Sequence, residues 1–204
     1  MFITFEGIDL AGKTTQAQLL AKYLIDKGKK VITIREPGGT QVAEKIRHIL
    51  LDPQNDLPPF AELFLFEAAR ADLVNKVIKP SLAKGNVVIC DRFWDSTIAY
   101  QAFGRRLPFE FVEQCNYYAS EGLTPNLTFF IDIPLDVLYE RAKLKAKDRM
   151  EQEESEFLQR VINGFRTIAQ KFPDRFIIID GSKTIEEIHK IVTDYVEQFL
   201  EREK

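Results

Sequence analysis

Residues 7–14 read Gly7-Ile8-Asp9-Leu10-Ala11-Gly12-Lys13-Thr14, the spacing G-x-x-x-x-G-K-[ST]. The string begins where the apolar run Phe2-Ile3-Thr4-Phe5 ends. It leads into Gln16–Leu24, whose apolar positions recur with a helical period. Strand, glycine-rich turn and helix are the context in which this spacing builds a phosphate cradle out of backbone. The glycines let successive N–H groups point inward, Lys13 adds a mobile positive charge, and the Thr14 hydroxyl can ligate Mg²⁺. The start of the helix adds its dipole. A nucleoside triphosphate is therefore expected on Gly7, Ile8, Asp9, Leu10, Ala11, Gly12, Lys13, Thr14 and Thr15.

Working outward, 204 residues suit one domain spanning 1–204, and a hydrophobic content of 45% is ample for a core. A net charge of −3 gives no global pull toward nucleic acid or an anionic membrane, so neither is expected as a partner. The basic groups that matter must be local. No apolar run approaches the roughly 20 residues that span a bilayer. The N-terminus lacks a basic segment followed by a long apolar stretch, so no signal peptide is read there and a cytoplasmic location is expected. Cys90 and Cys115 make no disulfide framework. Cys90, inside Val87-Val88-Ile89-Cys90, reads as a small buried hydrophobe.

Apolar runs predict strands at 2–6, 30–35, 86–90, 127–132 and 175–179, most of them near-continuous Val, Ile and Phe, as in strands covered on both faces. Helices are predicted at 14–27, 40–51, 59–83, 108–120, 134–146, 153–171 and 184–201. Gly28 is placed to end the first, and Thr184 with Glu186 and Glu187 to begin the last. The alternation predicts an α/β fold of three layers, a parallel sheet of five strands between helices. In such sheets ligands bind beyond the carboxyl ends of the strands. That edge receives the phosphate loop, then Arg35-Glu36-Pro37-Gly38-Gly39-Thr40, then Asp91-Arg92. Asp91 closes Val-Val-Ile-Cys-Asp, where a carboxylate can hold Mg²⁺ through water. Arg92 beside it suits a substrate phosphate. Asp132 and Asp180 also end apolar runs, so position alone does not single out Asp91.

Arg47 and Arg70 are candidates for a second anion site. Phe66 and Arg70 are four apart and share a helix face. A ring there can stack on a base while a guanidinium donates to its carbonyl oxygens. Spacing alone also allows Phe66 to be core, and Phe60, Leu63 and Phe64 are expected in that packing. His48 and His189 show no partner pattern, and Trp94 after Phe93 reads as packing.

Phe5-Glu6-Gly7-Ile8-Asp9, the Arg35–Thr40 turn, Glu44-Lys45-Ile46-Arg47, Ala68-Ala69-Arg70, Asp91-Arg92 with Ser96, Ala99-Tyr100-Gln101, and Asp148-Arg149 with Glu151 follow one another in order. In that order and spread they resemble the thymidylate kinase family. The resemblance implies transfer of the ATP γ-phosphate to dTMP, a need for Mg²⁺ (Thr14, Asp91) and a homodimer. It implies that Asp9 accepts from the sugar 3′-hydroxyl, Phe66 stacks on thymine, and Arg70 reaches its O4. Arg92 and Arg47 would hold the monophosphate, and Thr97 would turn a polar group toward the base. Tyr100 would exclude a ribose hydroxyl, with Gln101 nearby, and Pro37 would line the acceptor site. Leu10 departs from the family, which usually has a small residue there. Phe93 stands where Tyr or His is frequent, and so offers no hydrogen bond.

Arg141, Lys143, Lys145, Lys147 and Arg149 fall at every second position. Steps of two scatter charge around a helix, so the run reads as a solvated basic loop or as a lid over the transferring phosphoryl group. The family carries catalytic bases either in the phosphate loop or in this lid. Leu10 and Ala11 are neutral, which puts the burden on a lid at about 141–154. Arg149 is expected to lead, then Arg141, alongside Lys13, Arg92 and Asp9. A GTPase would need D-x-x-G and N-K-x-D motifs, and Asn75-Lys76-Val77-Ile78 lacks the Asp. A deoxynucleoside kinase has no use for Arg47 and the Pro-Gly-Gly turn, and a non-catalytic ATP scaffold has none for the lid.

Overall fold

The computed structural model describes residues 1–142, 149–150 and 154–202. The named lid residues Lys143, Lys145, Lys147, Asp148 and Glu151 lie outside them. The elements run β1 (Phe2–Glu6), α1 (Lys13–Asp26), β2 (Val31–Arg35), α2 (Gln41–Leu51), α3 (Pro59–Leu73), α4 (Lys79–Ala83) and β3 (Val87–Asp91). Then come α5 (Trp94–Thr97), α6 (Phe109–Ala119), β4 (Leu127–Asp132), α7 (Leu135–Ala142), α8 (Ser155–Lys171), β5 (Phe176–Asp180) and α9 (Ile185–Arg202). The five-stranded sheet has the order β2-β3-β1-β4-β5 and is parallel throughout, flanked by helices as expected.

All five positions of β1 are buried, which its unbroken apolar run requires of a central strand. Alternate residues face opposite layers. Ile3 and Phe5 join the large core with Phe129 and Ile131, whereas Phe2 packs with Val88, Cys90, Leu73 and Trp94. Phe5 and Arg35 are both level with Asp91, and Asp132 is level with Asp180, so the carboxyl ends share one edge. The chain winds from β1 out to β2, returns to β3, and crosses β1 to reach β4. The crevice of that reversal opens above β1.

Gly28, at φ +77, ends α1, and its N–H donates to Ile25 O. Thr184 and Glu187 cap α9 reciprocally, each side chain accepting from the other's backbone N–H at 3.2 and 2.9 Å. The helix expected over 59–83 is interrupted by a π-helical turn, Val74–Ile78, between α3 and α4. Pro80 explains it. It has no N–H for the carbonyl one turn back and its ring crowds that carbonyl, so the ladder widens before it. The sequence reading left out α5 and the π-helical Ile98–Gly104 that continues it. Every residue from Trp94 to Gln101 is buried, so no polar face marks a period.

Phe60 and Phe64 are a correction: they are 46% and 52% exposed, and only Leu63 of that expected trio is core. The inward face of α3 is shared between Leu63, Ala69 and Leu73 and the charged Glu62, Glu67 and Arg70. The two rings turn outward and meet Phe111 of α6, with centroids 5.8 and 6.2 Å away. Among the described residues, no helix is long and apolar enough to cross a membrane.

Candidate active site

The phosphate loop follows β1 at the reversal. Gly7 has φ +138, and a Cβ there would lie 2.6 Å from the Ile131 carbonyl oxygen. No other residue type fits so close to β4. Gly12, at φ +100, leads into α1. Leu10 sits at φ +61, a left-handed conformation that costs a side-chain-bearing residue about 1–2 kcal/mol. That is the physical reason a glycine is at home at this position.

Lys13 is buried and donates from Nζ to Ile8 O at 2.8 Å. Burial, and then the nearby Arg92, pull its pKa down to about 8 against the opposing pull of Asp91, Asp9 and Glu6. Thr14 Oγ1 donates to Asp91 Oδ2 at 2.5 Å. A hydroxyl and a carboxylate oxygen side by side at the mouth of the loop are hard donors of the kind that would hold Mg²⁺, directly or through water.

Arg92, also left-handed at φ +68, is the hub of the crevice. Its Nη1 donates to Gly7 O at 2.7 Å and to Ser96 Oγ at 3.1 Å, and its Nη2 donates to Asp9 Oδ1 at 2.7 Å. Its guanidinium carbon lies 5.3 Å from the Tyr100 ring centre. On the other side, Arg47 donates to Pro37 O at 2.9 Å.

Arg70 is 2% exposed and commits all five N–H donors within the protein. Nε and Nη2 both reach Glu36 Oε2 at 2.9 and 2.6 Å. Nη1 reaches Glu67 Oε1 and Asn116 Oδ1, each at 2.7 Å, and Nη2 also reaches Thr97 Oγ1 at 2.9 Å. Burial pushes the Glu36 carboxyl up to about 7 despite Arg70. Glu67 is raised by burial in the same way.

These groups surround one cavity of about 470 Å³. It brings together Asp9, Leu10, Gly12, Lys13, Thr14, Thr15, Pro37, Arg47, Phe66, Arg70, Asp91, Arg92, Thr97, Tyr100 and Gln101, all named from the sequence. Five basic side chains (Lys13, Arg35, Arg47, Arg70, Arg92) face three carboxylates (Asp9, Glu36, Asp91), a local positive excess in a chain of net charge −3. Gly7, Ile8 and Ala11 do not line it; Ile8 and Ala11 are packed into the core beneath.

The two described lid arginines part company. Arg141 donates to Leu10 O and to Gly181 O, both at 2.9 Å, so it touches the phosphate loop. Arg149 does not line the cavity. It donates to Leu50 O at 2.6 Å and pairs with Glu62 at 2.7 Å. Sequence reasoning missed Glu62 and gave no role to Glu36, Leu51 or Met150, which line the cavity or lie behind it. The acidic residue of the Arg35–Thr40 turn was the one available signal.

Comparison with known proteins points to one family. A protein-family model described as thymidylate kinase matches residues 5–192. The chain is 47% identical to a thymidylate kinase from Prosthecochloris aestuarii, over 96% of the chain and 92% of that protein. It is 48% identical to one from Sulfurihydrogenibium sp., over 97% of each. Among solved structures it is similar to a crystal structure of thymidylate kinase from Ehrlichia chaffeensis, with a TM-score of 0.79 and 39% identity over 96% of this chain and 98% of that one.

Proposed function

Because this chain belongs to the thymidylate kinase family, whose reaction is the phosphorylation of dTMP with ATP as donor, we propose roles for its cavity residues in that reaction. The chain is a nucleoside monophosphate kinase, a transferase acting on dTMP. The observation that supports these roles is that the phosphate-loop residues Lys13 and Thr14 and the arginines Arg47 and Arg92 line one cavity.

ATP lies with its phosphates on the backbone of residues 7–15 and on Lys13. Thr14 and Asp91 would hold Mg²⁺, which supplies neutralisation of charge on the phosphates. Arg92 and Arg47 hold the acceptor phosphate in line with the γ-phosphate. That acceptor is already an anion, so no base is needed, and catalysis is positioning plus charge stabilisation. Phe66 stacks on thymine, and Tyr100 with Gln101 bounds the sugar. Asp9 accepts from the sugar 3′-hydroxyl while its Oδ1 holds Arg92.

For Arg70 to donate to the thymine O4 it must release one of its five bonds. Thr97 is the partner to lose, since of the two uncharged acceptors it alone lines the cavity. Arg141, which touches the loop, is assigned the closing positive charge ahead of Arg149, reversing the order read from the sequence.

We also read the chain as a single kinase domain acting in the cytoplasm as a homodimer. Support for the dimer is the exposed ring cluster Phe60, Phe64 and Phe111 on α3 and α6. Its contact is tested by sedimentation: Phe64→Glu should give a monomer, and an unchanged dimer rules this face out.

A coupled ADP-release assay over dTMP, dUMP, dCMP, dGMP and thymidine tests the roles. One methyl in an apolar pocket is worth about 10–200-fold, so dUMP should be a poor but measurable substrate. dCMP should be worse, because its amino group donates where Arg70 also donates. Equal turnover of dCMP removes Arg70 from base reading, and activity on thymidine with none on dTMP overturns the acceptor site.

A further inference from the structure

Glu6 ends β1 immediately behind the phosphate loop, and none of the roles above uses it. Its side chain is fully buried. Oε1 accepts from the Phe93 N–H at 2.7 Å, and Oε2 accepts from Ser96 Oγ at 2.5 Å. Ser96 Oγ in turn accepts from Arg92 Nη1 at 3.1 Å. The two donors thus bracket Arg92, one on the next residue and one a helical turn later.

Arg92 needs bracketing. Its φ of +68 is a conformation that a residue with a side chain holds only when its surroundings impose it. Three of its five N–H donors go to Gly7, Ser96 and Asp9, which leaves two outside these bonds. The direction of those two follows from where the other three are held. Nor is Glu6 in a comfortable place. A second buried carboxylate, Asp95, stands near it, held by Arg175 at 2.7 and 2.8 Å. Burial, and then Asp95, push the Glu6 carboxyl up to about 8.

Resting on the reading of Arg92 as the ligand of the acceptor phosphate, we propose that Glu6 is a positioning residue for Arg92. Through Phe93 N–H it pins the left-handed turn, and through Ser96 it orients the guanidinium on the phosphate of the monophosphate acceptor. It acts on the acceptor side of the crevice and not on the ATP side.

The experiment compares KM for dTMP and for ATP in Glu6→Ala, Glu6→Gln, Ser96→Ala and the Glu6→Ala/Ser96→Ala double variant. Glu6→Ala should raise the dTMP KM about 3–10-fold, the equivalent of one ordinary hydrogen bond, with the ATP KM unmoved. Glu6→Gln keeps an acceptor for Phe93 N–H and a polar contact to Ser96, and should recover most of the loss. Because both residues act through one relay, the double variant should be no worse than Glu6→Ala. A folded Glu6→Ala protein with a dTMP KM within about twofold of wild type overturns the proposal, as do losses that multiply in the double variant. An equal rise in the ATP KM overturns it too. Should Glu6→Ala not fold, Ser96→Ala decides alone, and an unchanged dTMP KM there is refutation. Wild-type protein that releases no ADP with dTMP sinks the functional reading instead. Calorimetric binding of dTMP to wild type and Ser96→Ala then still tests the relay.

Discussion

Glu62→Ala removes a carboxylate that three side chains share. Glu62 Oε1 accepts from Gln101 Nε2 at 2.9 Å and from Arg105 Nε at 3.0 Å. Oε2 accepts from Arg105 Nη2 at 2.9 Å and pairs with Arg149 Nη2 at 2.7 Å. The carboxylate is fully buried, and the two arginines are 16% and 11% exposed. Removing one member of a buried ion pair costs about 3–5 kcal/mol, most of it the charge left behind. Here the arginines keep other support. Arg149 still donates to Leu50 O, and Arg105 lies 4.5 Å from the Phe157 ring centre. The lower end, about 3 kcal/mol, is therefore expected. In a chain of this size that is about 6–12 °C in Tm, measured by calorimetry at pH 7.

The sign of the pH dependence is a second check. Burial pushes the Glu62 carboxyl up, but Arg105, Gln101 and Arg149 together outweigh it and hold it below its ordinary 4.5. The stabilisation is therefore complete above pH 4.5 and is lost as pH falls through the folded value. The gap between wild type and Glu62→Gln should stay level from neutral pH down to about 5 and close below that. A fall in Tm of less than about 2 °C for Glu62→Ala, or a gap that widens in acid, would refute the reasoning.

Gly7→Ala places a methyl against the Ile131 carbonyl and should abolish measurable ATP binding by calorimetry while the far-ultraviolet dichroism stays that of the wild type. Intact ATP affinity would mean that the loop can shift away from β4. Lys13, with its pKa pulled down to about 8 in the free protein, should make kcat/KM for ATP fall toward tenfold per pH unit above that value. A flat profile to pH 9.5 removes its charge from binding. Arg141→Ala should lower kcat by at least about 10³-fold with dTMP affinity little changed, whereas Arg149→Ala should mainly lower Tm. The opposite pattern in a paired kinetic and melting experiment restores Arg149 as the closing charge.

The strands were legible because each is a near-continuous apolar run, and the loop because its chemistry is confined to eight consecutive residues. What escaped the sequence depends on partners far along the chain. The reading saw Arg70 beside Phe66 on one helix face. It did not see that the same guanidinium serves Glu36, Thr97 and Asn116, from three other elements, as well as Glu67. Phe60 and Phe64 looked like core by hydropathy, yet half of the inward face of α3 belongs to a charged network. The helical stretch after Asp91 left no mark because burial on every side erases the polar stripe that announces a helix. Arg149 was read from its charge and from the resemblance of Asp148-Arg149 to a lid motif, and neither says that the guanidinium meets Glu62.

The strand order has a consequence for how the chain is made. β1 leaves the ribosome first, but its two neighbours are residues 87–91 and 127–132. At about 5–20 residues per second, Phe2, Ile3 and Phe5 wait roughly 4–17 s with both strand edges unpaired, and roughly 6–25 s before the second edge is covered. The turn at Gly7 leans on Ile131, so it has no wall until that interval is over. A chain stalled before residue 127 keeps one edge of its first strand open and has no finished phosphate loop with which to hold ATP.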